Sequence, residues 1–384
     1  MIIGVDYTAA AWQGAGIGRY TRELFAATIP RDHSLRYVLF YAARGLPAHS
    51  PYLRALADLC AANPNVQVRP IPISPRLLTI LWQRLRLPLP VEHWVGKLDI
   101  LHAPDFVLPP TRARALLTVH DLTFMVRPET ADAGLRRYLE VAVPRSLRRA
   151  DLVLADSQAT RADLQRLLGV SPDRVRVLYP GVNPRFHPMP PEAVEPIRAQ
   201  LGLPASFLLF VGTLEPRKNL VRLIEAFGAL GAAGAYPDLH LVIAGRRGWL
   251  YKEIFATVTR LSLHERIRFL DFVDDAHLPA VYNLARAFIY PSLYEGFGLP
   301  VLEALACGTP VVTANTSSLP EVVGTAAILV DSHDPQAIAA GVQQALAHSS
   351  ELRTAGPPQA ASFRWETAAE HVIDIYHALA KPRL

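Results

Sequence analysis

Two series of short, β-branched apolar runs pass through this chain of 384 residues, each alternating with longer stretches of helical periodicity. That alternation constrains the fold more than any other feature. A strand that is followed by a helix and then by another strand returns parallel to itself, so the pattern calls for parallel sheets with crossover helices. In the first series the strand candidates are 2–6, 37–41, 66–69, 100–103, 115–119, 152–156 and 176–178. A helix is predicted from Gly18 or Arg19 towards Thr28, and another after Ser157, whose hydroxyl can cap it, ending at Gly169. The second series has strands at 207–212, 239–245, 267–270, 287–290, 310–314 and 327–330, with helices at 220–230, 251–261, 277–283, 300–307 and 335–348. Between the series lies Tyr-Pro-Gly-Val-Asn-Pro-Arg-Phe-His-Pro-Met-Pro-Pro, residues 179–191, which can continue neither a helix nor a central strand. The expected α/β architecture is therefore two doubly wound, Rossmann-like domains, 1–185 and 186–364. An amphipathic helical segment, 365–384, follows and is free to cross back to the first domain. Ligands of open α/β sheets sit beyond the carboxyl ends of the strands, so both domains are expected to face an inter-domain cleft.

Composition excludes several classes. With 51% hydrophobic and 19% charged residues, the chain can bury two cores and has no disordered or collagen-like bias. Cys60 and Cys307 are too few and too far apart for a disulfide framework or a zinc site, which fits a reducing cytoplasm. The opening Met1-Ile-Ile-Gly-Val-Asp6 reads as a strand rather than a secretory signal, and no run approaches the roughly 18 apolar residues of a membrane span. Residues 1–185 carry 24 Lys and Arg against 15 Asp and Glu, a surplus of nine, while the rest of the chain carries 15 against 19. A basic half suits an anionic membrane surface or a phosphorylated acceptor; a solvated surface is the alternative. Nucleic acid is not expected as a partner.

The chemistry concentrates at Tyr290-Pro-Ser-Leu-Tyr-Glu295-Gly-Phe-Gly-Leu-Pro300-Val-Leu-Glu303. A strand ends, a glycine loop follows, and Pro300 stands where the first helical residue should be. The loop N–H groups, those of Gly298 and Leu299 among them, and the helix N-terminus form an anion site suited to a diphosphate. Glu295 before the helix and Glu303 inside it can then address hydroxyls at opposite ends of one phosphate-bridged ligand. A glycosidase carboxylate pair is disfavoured by the phosphate-type loop around it. Gly14-Ala-Gly16-Ile-Gly18 has GxGxG rather than GxGxxG spacing and lacks the acidic partner of a dinucleotide site.

Glu295-x7-Glu303 in this setting closely resembles the signature of glycosyltransferase family 4, whose members have the GT-B fold. Val211-Gly212-Thr213-Leu-Glu-Pro-Arg217-Lys218-Asn219 resembles its diphosphate-binding strand and loop, and Gly14–Gly18 its N-domain glycine loop, with Gly16 and Gly18 facing the donor phosphates. Thr118-Val-His120-Asp121 is similar to the segment whose histidine lines the sugar pocket; Phe269–Asp275, with Val273 and Asp275, to the segment that reads the nucleobase. The resemblance runs from residue 4 to about 376. It implies an acceptor-side first domain and a second domain that binds a nucleotide-sugar donor through Gly212, Thr213, Gly296, Phe297, Gly298 and Leu299. It also implies transfer with retention of anomeric configuration. Glu295 would bind donor-sugar hydroxyls, Glu303 the ribose diol, and His120 the sugar.

No Asp-x-Asp lies in a metal-binding context, and two adjacent cations, Arg217 and Lys218, can neutralise a departing diphosphate; neither metal nor cofactor is expected. Asp275 can accept from guanine N1–H and the exocyclic amine, which favours GDP-mannose, with a UDP-sugar second. The acceptor is expected to be a glycan or lipid-linked molecule. A nucleotide-sugar epimerase would need a further acid–base set, and a silent binding subunit would not need Glu295, Glu303, Arg217 and Lys218 together. Finally, Leu77, Leu78, Leu81, Trp82 and Leu85 fall on one face if residues 75–87 form a helix, with Arg76, Arg84 and Arg86 available to phosphates. Such a helix can lie at the inner face of an anionic membrane or be buried beside the acceptor.

Overall fold

A computed structural model describes residues 1–384 except Ala15, Ala48, Ala233, Ala235 and residues 382–384, and the backbone alone of Ala232. Ala15 of the first glycine loop and the end of the 365–384 segment thus lie outside the described residues. The chain divides into two compact units. Unit 1 comprises Met1–Leu122, Gly134–Gly181 and Arg364–Leu384, and unit 2 comprises Thr123–Ala133 and Val182–Phe363.

Unit 1 is built on β1 (Ile2–Asp6), β2 (Arg36–Ala42), β3 (Val66–Ile71), β4 (Ile100–Ala103), β5 (Arg114–Val119), β6 (Leu152–Ala155) and β7 (Val175–Val177). All pair in parallel, in the order β3-β2-β1-β4-β5-β6-β7. The central strands read as unbroken apolar runs because helices cover both faces, and every residue of β4 is buried. The helix Ile17–Thr28 sinks Tyr20, Leu24 and Phe25 into this core, and Trp365–Ala380 packs beside it with Trp365, Ala368, Ala369, Val372 and Tyr376 inward. The buried imidazole of His102 is satisfied on both sides, with Nδ1 2.7 Å from the Tyr376 hydroxyl and Nε2 3.1 Å from Thr118 Oγ1. Burial keeps it neutral, with its pKa lowered to about 3. Ser157 caps its helix, accepting from the Thr160 amide at 3.1 Å, and Gly169 ends it with φ 62°.

The segment 75–87 departs from the single apolar face expected of it. It is a short α-helix, Pro75–Thr79, running into a π-turn, Ile80–Arg84. The wider turn separates the apolar residues: Leu78 and Trp82 are buried, and Trp82 Nε1 donates to the Leu89 carbonyl at 3.0 Å. Leu77 and Leu85 point outward, and Leu85, Leu87 and Leu89 are 61%, 36% and 37% exposed beside Arg84 and Arg86.

Unit 2 repeats the plan with β8 (Phe207–Val211), β9 (His240–Ala244), β10 (Ile267–Leu270), β11 (Ala287–Tyr290), β12 (Val311–Ala314) and β13 (Ile328–Val330). The parallel order is β10-β9-β8-β11-β12-β13. Strand order therefore reverses between β1 and β4 in unit 1 and between β8 and β11 in unit 2, and a crevice opens at each reversal. Several helices carry internal prolines that a sequence rule would treat as breaks: Pro144 in Ala133–Arg149, Pro196 in Pro191–Leu201, and Pro357 and Pro358 in Ser349–Ala360. Among the described residues no helix is long and apolar enough to cross a membrane.

Candidate active site

The edge of unit 2 at its switch point is made by loops that follow β8, β11 and β12. After β8 the chain passes Gly212 and exposed Thr213 and tightens into one 3-10 turn, Pro216–Lys218. Asn219 leaves that turn at φ 60°, and its side-chain amide donates to the carbonyls of Pro291 at 3.0 Å and Ser332 at 2.6 Å. One residue thus ties together the loops after β8, β11 and β13, and Asn is among the few that tolerate this backbone. After β11 the loop through Glu295, Gly296, Phe297 and Gly298 is buried throughout. Gly298 has φ 107°, and a Cβ there would lie 2.8 Å from Leu319 Cδ2, so glycine is required twice over. The helix is Leu299–Ala306, so Pro300 is its second residue rather than its first. The loop after β12 clamps Glu295: Ser317 Oγ accepts its amide at 3.0 Å, and the Ser318 hydroxyl bridges the carbonyls of Glu295 and Phe297 at 3.0 and 2.8 Å.

Charge fills this edge. Arg217 Nη1 donates to Glu295 Oε2 at 2.6 Å and to the Tyr294 carbonyl at 3.0 Å, and Lys218 Nζ donates to Glu295 Oε1 at 2.7 Å. Glu215, 3% exposed, takes Arg217 Nε and Nη2 at 3.0 and 2.7 Å. Lys218 also donates to the Tyr290 hydroxyl. Burial would raise the carboxyl of Glu295, but Arg217 and Lys218 overcome it and hold it at about 2. Burial and the neighbouring Arg217 push Lys218 below the usual lysine range, and the facing carboxylates oppose them. The two cations are therefore balanced by Glu295 and Glu215 before any ligand arrives. Sequence reasoning paired Glu295 with a sugar and missed Glu215, Tyr290, Ser317 and Ser318 as its supports.

Glu303, buried in the helix, accepts from the Tyr282 hydroxyl at 3.0 Å. Tyr282 lies on Leu278–Leu284, whose first amides bond the Asp274 carbonyl, so this helix connects Glu303 to the loop after β10. In that loop Val273 is buried and Asp275 is partly exposed, 3.4 Å from Arg185 Nη2.

In unit 1 the first glycine loop leads into Ile17–Thr28 with Gly16 at the cap. A Cβ on Gly18 would collide with the carbonyls of Gln13 and Ala9, and Arg22 fastens the loop by donating to the carbonyls of Ala10, Gln13 and Gly14 at 2.6, 2.7 and 2.9 Å. Two residues further, Tyr20 meets His120 edge-on at 4.8 Å. His120 follows β5, and Asp156 follows β6, the neighbouring strand. His120 Nδ1 lies 2.7 Å from Asp156 Oδ2, and Nε2 lies 2.8 Å from the Pro104 carbonyl. Burial alone would lower the imidazolium, but Asp156, with help from Asp105, raises it to about 9. Asp156 was legible only as the polar end of a strand; its pairing needs the β5–β6 neighbourhood.

Among the described residues no group of three or more His, Cys, Asp or Glu is placed to hold a metal ion, and Cys60 and Cys307 are free thiols.

Two doubly wound parallel sheets of this order, with a phosphate-type loop and paired cations at one switch point, define the GT-B class of glycosyltransferase. The fold is shared with sucrose-phosphate synthase from Thermosynechococcus elongatus, at TM-score 0.76 and 22% identity over 99% of each chain. It is shared equally with Anabaena HepE, determined with UDP and glucose, at TM-score 0.74 and 21% identity over 98% of this chain and 99% of that one. The Glycosyltransferase Family 4 profile matches residues 14–186, and that of Glycosyl transferases group 1 matches residues 194–358. The O-antigen chain mannosyltransferase B of Escherichia coli is 34% identical over 374 residues, 95% of this chain and 96% of its own. The chain belongs to glycosyltransferase family 4. It is an enzyme that transfers a sugar.

Proposed function

We propose that this glycosyltransferase moves mannose from GDP-mannose to a hydroxyl of a glycan or lipid-linked acceptor, with retention and without a metal ion. The observation that carries the reading is the likeness, over nearly its whole length, to a chain-building mannosyltransferase. Asp275 supports a guanine base, since a carboxylate accepts two hydrogen bonds from the guanine N1–H and amine and only one, from N3–H, of uracil.

In this reading the diphosphate displaces Glu295 from Arg217 and Lys218, and the freed carboxylate takes donor-sugar hydroxyls. The acceptor oxygen attacks the anomeric carbon from the face on which the diphosphate leaves. The carbon–oxygen bond to the β-phosphate breaks as the new glycosidic bond forms, and the acceptor proton passes to the departing phosphate oxygen. Arg217, Lys218 and the amide end of Leu299–Ala306 stabilise the negative charge that develops there, the part a metal plays elsewhere. His120 contacts the sugar, and Glu303 the ribose.

Turnover with a panel of GDP- and UDP-sugars, each with and without excess EDTA, tests this. GDP-mannose is expected to be the preferred donor at undiminished rate in EDTA. A preferred UDP-sugar, or loss of turnover that Mg²⁺ or Mn²⁺ restores, would overturn the donor or the metal-independence respectively.

The exposed tip of unit 1 supports a membrane-bound acceptor at the cytoplasmic face. Leu85, Leu87 and Leu89 present apolar surface beside Arg84 and Arg86, an arrangement that inserts side chains while the guanidinium groups meet lipid phosphates. Sedimentation with anionic vesicles should rise with anionic fraction, fall with salt, and weaken in Arg84→Glu/Arg86→Glu. Absence of binding at low salt would leave a soluble acceptor.

A further inference from the structure

The environment of His120 is more specific than contact with a sugar requires. The Pro104 carbonyl, 2.8 Å from Nε2, can only accept, so Nε2 must carry a hydrogen. The Asp156 carboxylate, 2.7 Å from Nδ1, is satisfied only if Nδ1 carries one too. A neutral imidazole has one N–H and would turn a lone pair on one of these acceptors, inside a site where His120 and Asp156 are 8% and 5% exposed. Asp156 Oδ1 is buried and has no hydrogen-bond partner among the described residues, so the carboxylate's charge is answered through His120. Tyr20 and Phe106 meet the ring edge-on at 4.8 and 5.4 Å and limit its rotation.

We propose that Asp156 is a positioning residue that, with the Pro104 carbonyl, fixes His120 as a doubly protonated imidazolium of set orientation before any ligand binds. The role of that cation in transfer rests on the reading of His120 as a donor-sugar residue. The positioning itself does not. A histidine with both N–H groups engaged has no lone pair to take a proton, so it serves as a fixed positive charge at the end of β5. A donor hydroxyl or phosphate oxygen can reach its Nε2–H only by taking the place of the Pro104 carbonyl.

The charged and titratable groups around the ring agree with this. Asp156 from the end of β6 and Asp105 from the end of β4 favour the cation, while burial opposes it; the neutral His102 is lowered in turn by His120, and Tyr20 faces the ring from Ile17–Thr28. Burial raises the Asp156 carboxyl, the His120 cation lowers it and Asp121 raises it; Asp105 acts on Asp6 at one remove.

The test is nitrogen NMR on the full chain labelled with ¹⁵N-histidine, with the His120 signals assigned by their loss in His120→Gln. Both ring nitrogens should show imidazolium shifts from pH 6 to 8 and titrate only near 9. A signal at pH 7 from a bare ring nitrogen of His120, or titration near 6.5, overturns the proposal. In Asp156→Asn the titration should move down by two pH units or more, with partial return in Asp156→Glu; an unmoved titration also overturns it. Activity then separates the two readings. If kcat/KM is level through pH 6–8 in the parent and falls as pH rises through about 7 in Asp156→Asn, the cation acts in transfer. If the NMR result holds but the pH profile does not move, positioning stands and the sugar-contact reading of His120 fails.

Discussion

The charged edges of the two units solve the same difficulty in opposite ways. In unit 2 a buried carboxylate, Glu295, is shared between two cations on flexible stems, and all three groups are side chains. In unit 1 a buried cation, His120, is shared between a carboxylate and a main-chain carbonyl, and the carbonyl cannot move without the strand end that bears it. The first arrangement can exchange partners at small cost once a diphosphate offers equivalent charge. The second keeps its geometry. Ligand-dependent rearrangement is thus expected in unit 2, with unit 1 as a standing reference.

The most severe way to break the contrast is Arg217→Ala/Lys218→Ala, which leaves Glu295 buried without a cation. Each single variant should lower kcat by about 10²–10³, the usual cost of one lost donor to a developing charge, with modest change in stability because one partner remains. The double variant should lose more activity and also be destabilised by about 3–5 kcal/mol, as for a buried ion left alone. Near-native turnover in the single variants would remove these residues from the chemistry.

The pH dependence of stability sharpens the comparison. Glu295 is held at about 2 against 4.5 for a free glutamate, so its contribution is complete above 4.5 and is lost as pH falls towards 2. His120 is raised from 6.5 to about 9, so its contribution is complete below 6.5 and is lost as pH rises through 9. Each shift corresponds to on the order of 3 kcal/mol at most. Denaturation profiles against pH should therefore lose their acid limb in Glu295→Gln and their alkaline limb in His120→Gln. An acid limb that survives in Glu295→Gln would mean that other carboxylates govern it.

A smaller effect tests exchange itself. Glu295→Gln removes the carboxylate that both cations share, so free GDP should bind about tenfold more tightly while turnover falls, since a charge-assisted hydrogen bond is worth about 1.5–3 kcal/mol. Weaker GDP binding would show that Glu295 does not compete with phosphate. The smallest expected change is in Glu215→Gln, which slackens one anchor of Arg217. Here kcat should drop by roughly threefold to tenfold with KM nearly unchanged, read from the same donor titration.

Each of the thirteen strands among the described residues was legible within one or two residues, because β-branched apolar runs of parallel sheets are buried on both faces and need no alternation to be seen. The helices with internal prolines were not, and neither was the helix Pro51–Ala62, of which only Leu56 is buried. Tertiary contacts rather than local propensity maintain them. Of the site, the glycine loop, Glu295, Glu303 and the Arg217–Lys218 pair stood out because their spacing is local. Asp156, Tyr282, Ser317 and Arg185 did not, since each acts on a residue at least 20 positions away: Asp156 on His120, Tyr282 on Glu303, Ser317 on Glu295 and Arg185 on Asp275. The 75–87 segment shows the converse error. Its apolar spacing was read at the pitch of an α-helix, and the π-turn at Ile80–Arg84 divides those residues between the core and the surface.

The helix Trp365–Ala380 belongs to unit 1, yet it is separated from Gly181 by all of Val182–Phe363. On the ribosome, at about 5–20 residues per second, unit 1 waits on the order of ten to forty seconds for its last wall. Until then Phe25 and Tyr20 lack their neighbour, and the His102 imidazole lacks the Tyr376 hydroxyl. Unit 2 emerges meanwhile, with its Val182 amide ready to bond the Phe363 carbonyl at 3.0 Å as the chain turns back. The nascent chain thus carries an open apolar seam through half its synthesis, an interval in which a chaperone or an early stop codon acts on the first-made unit rather than the last.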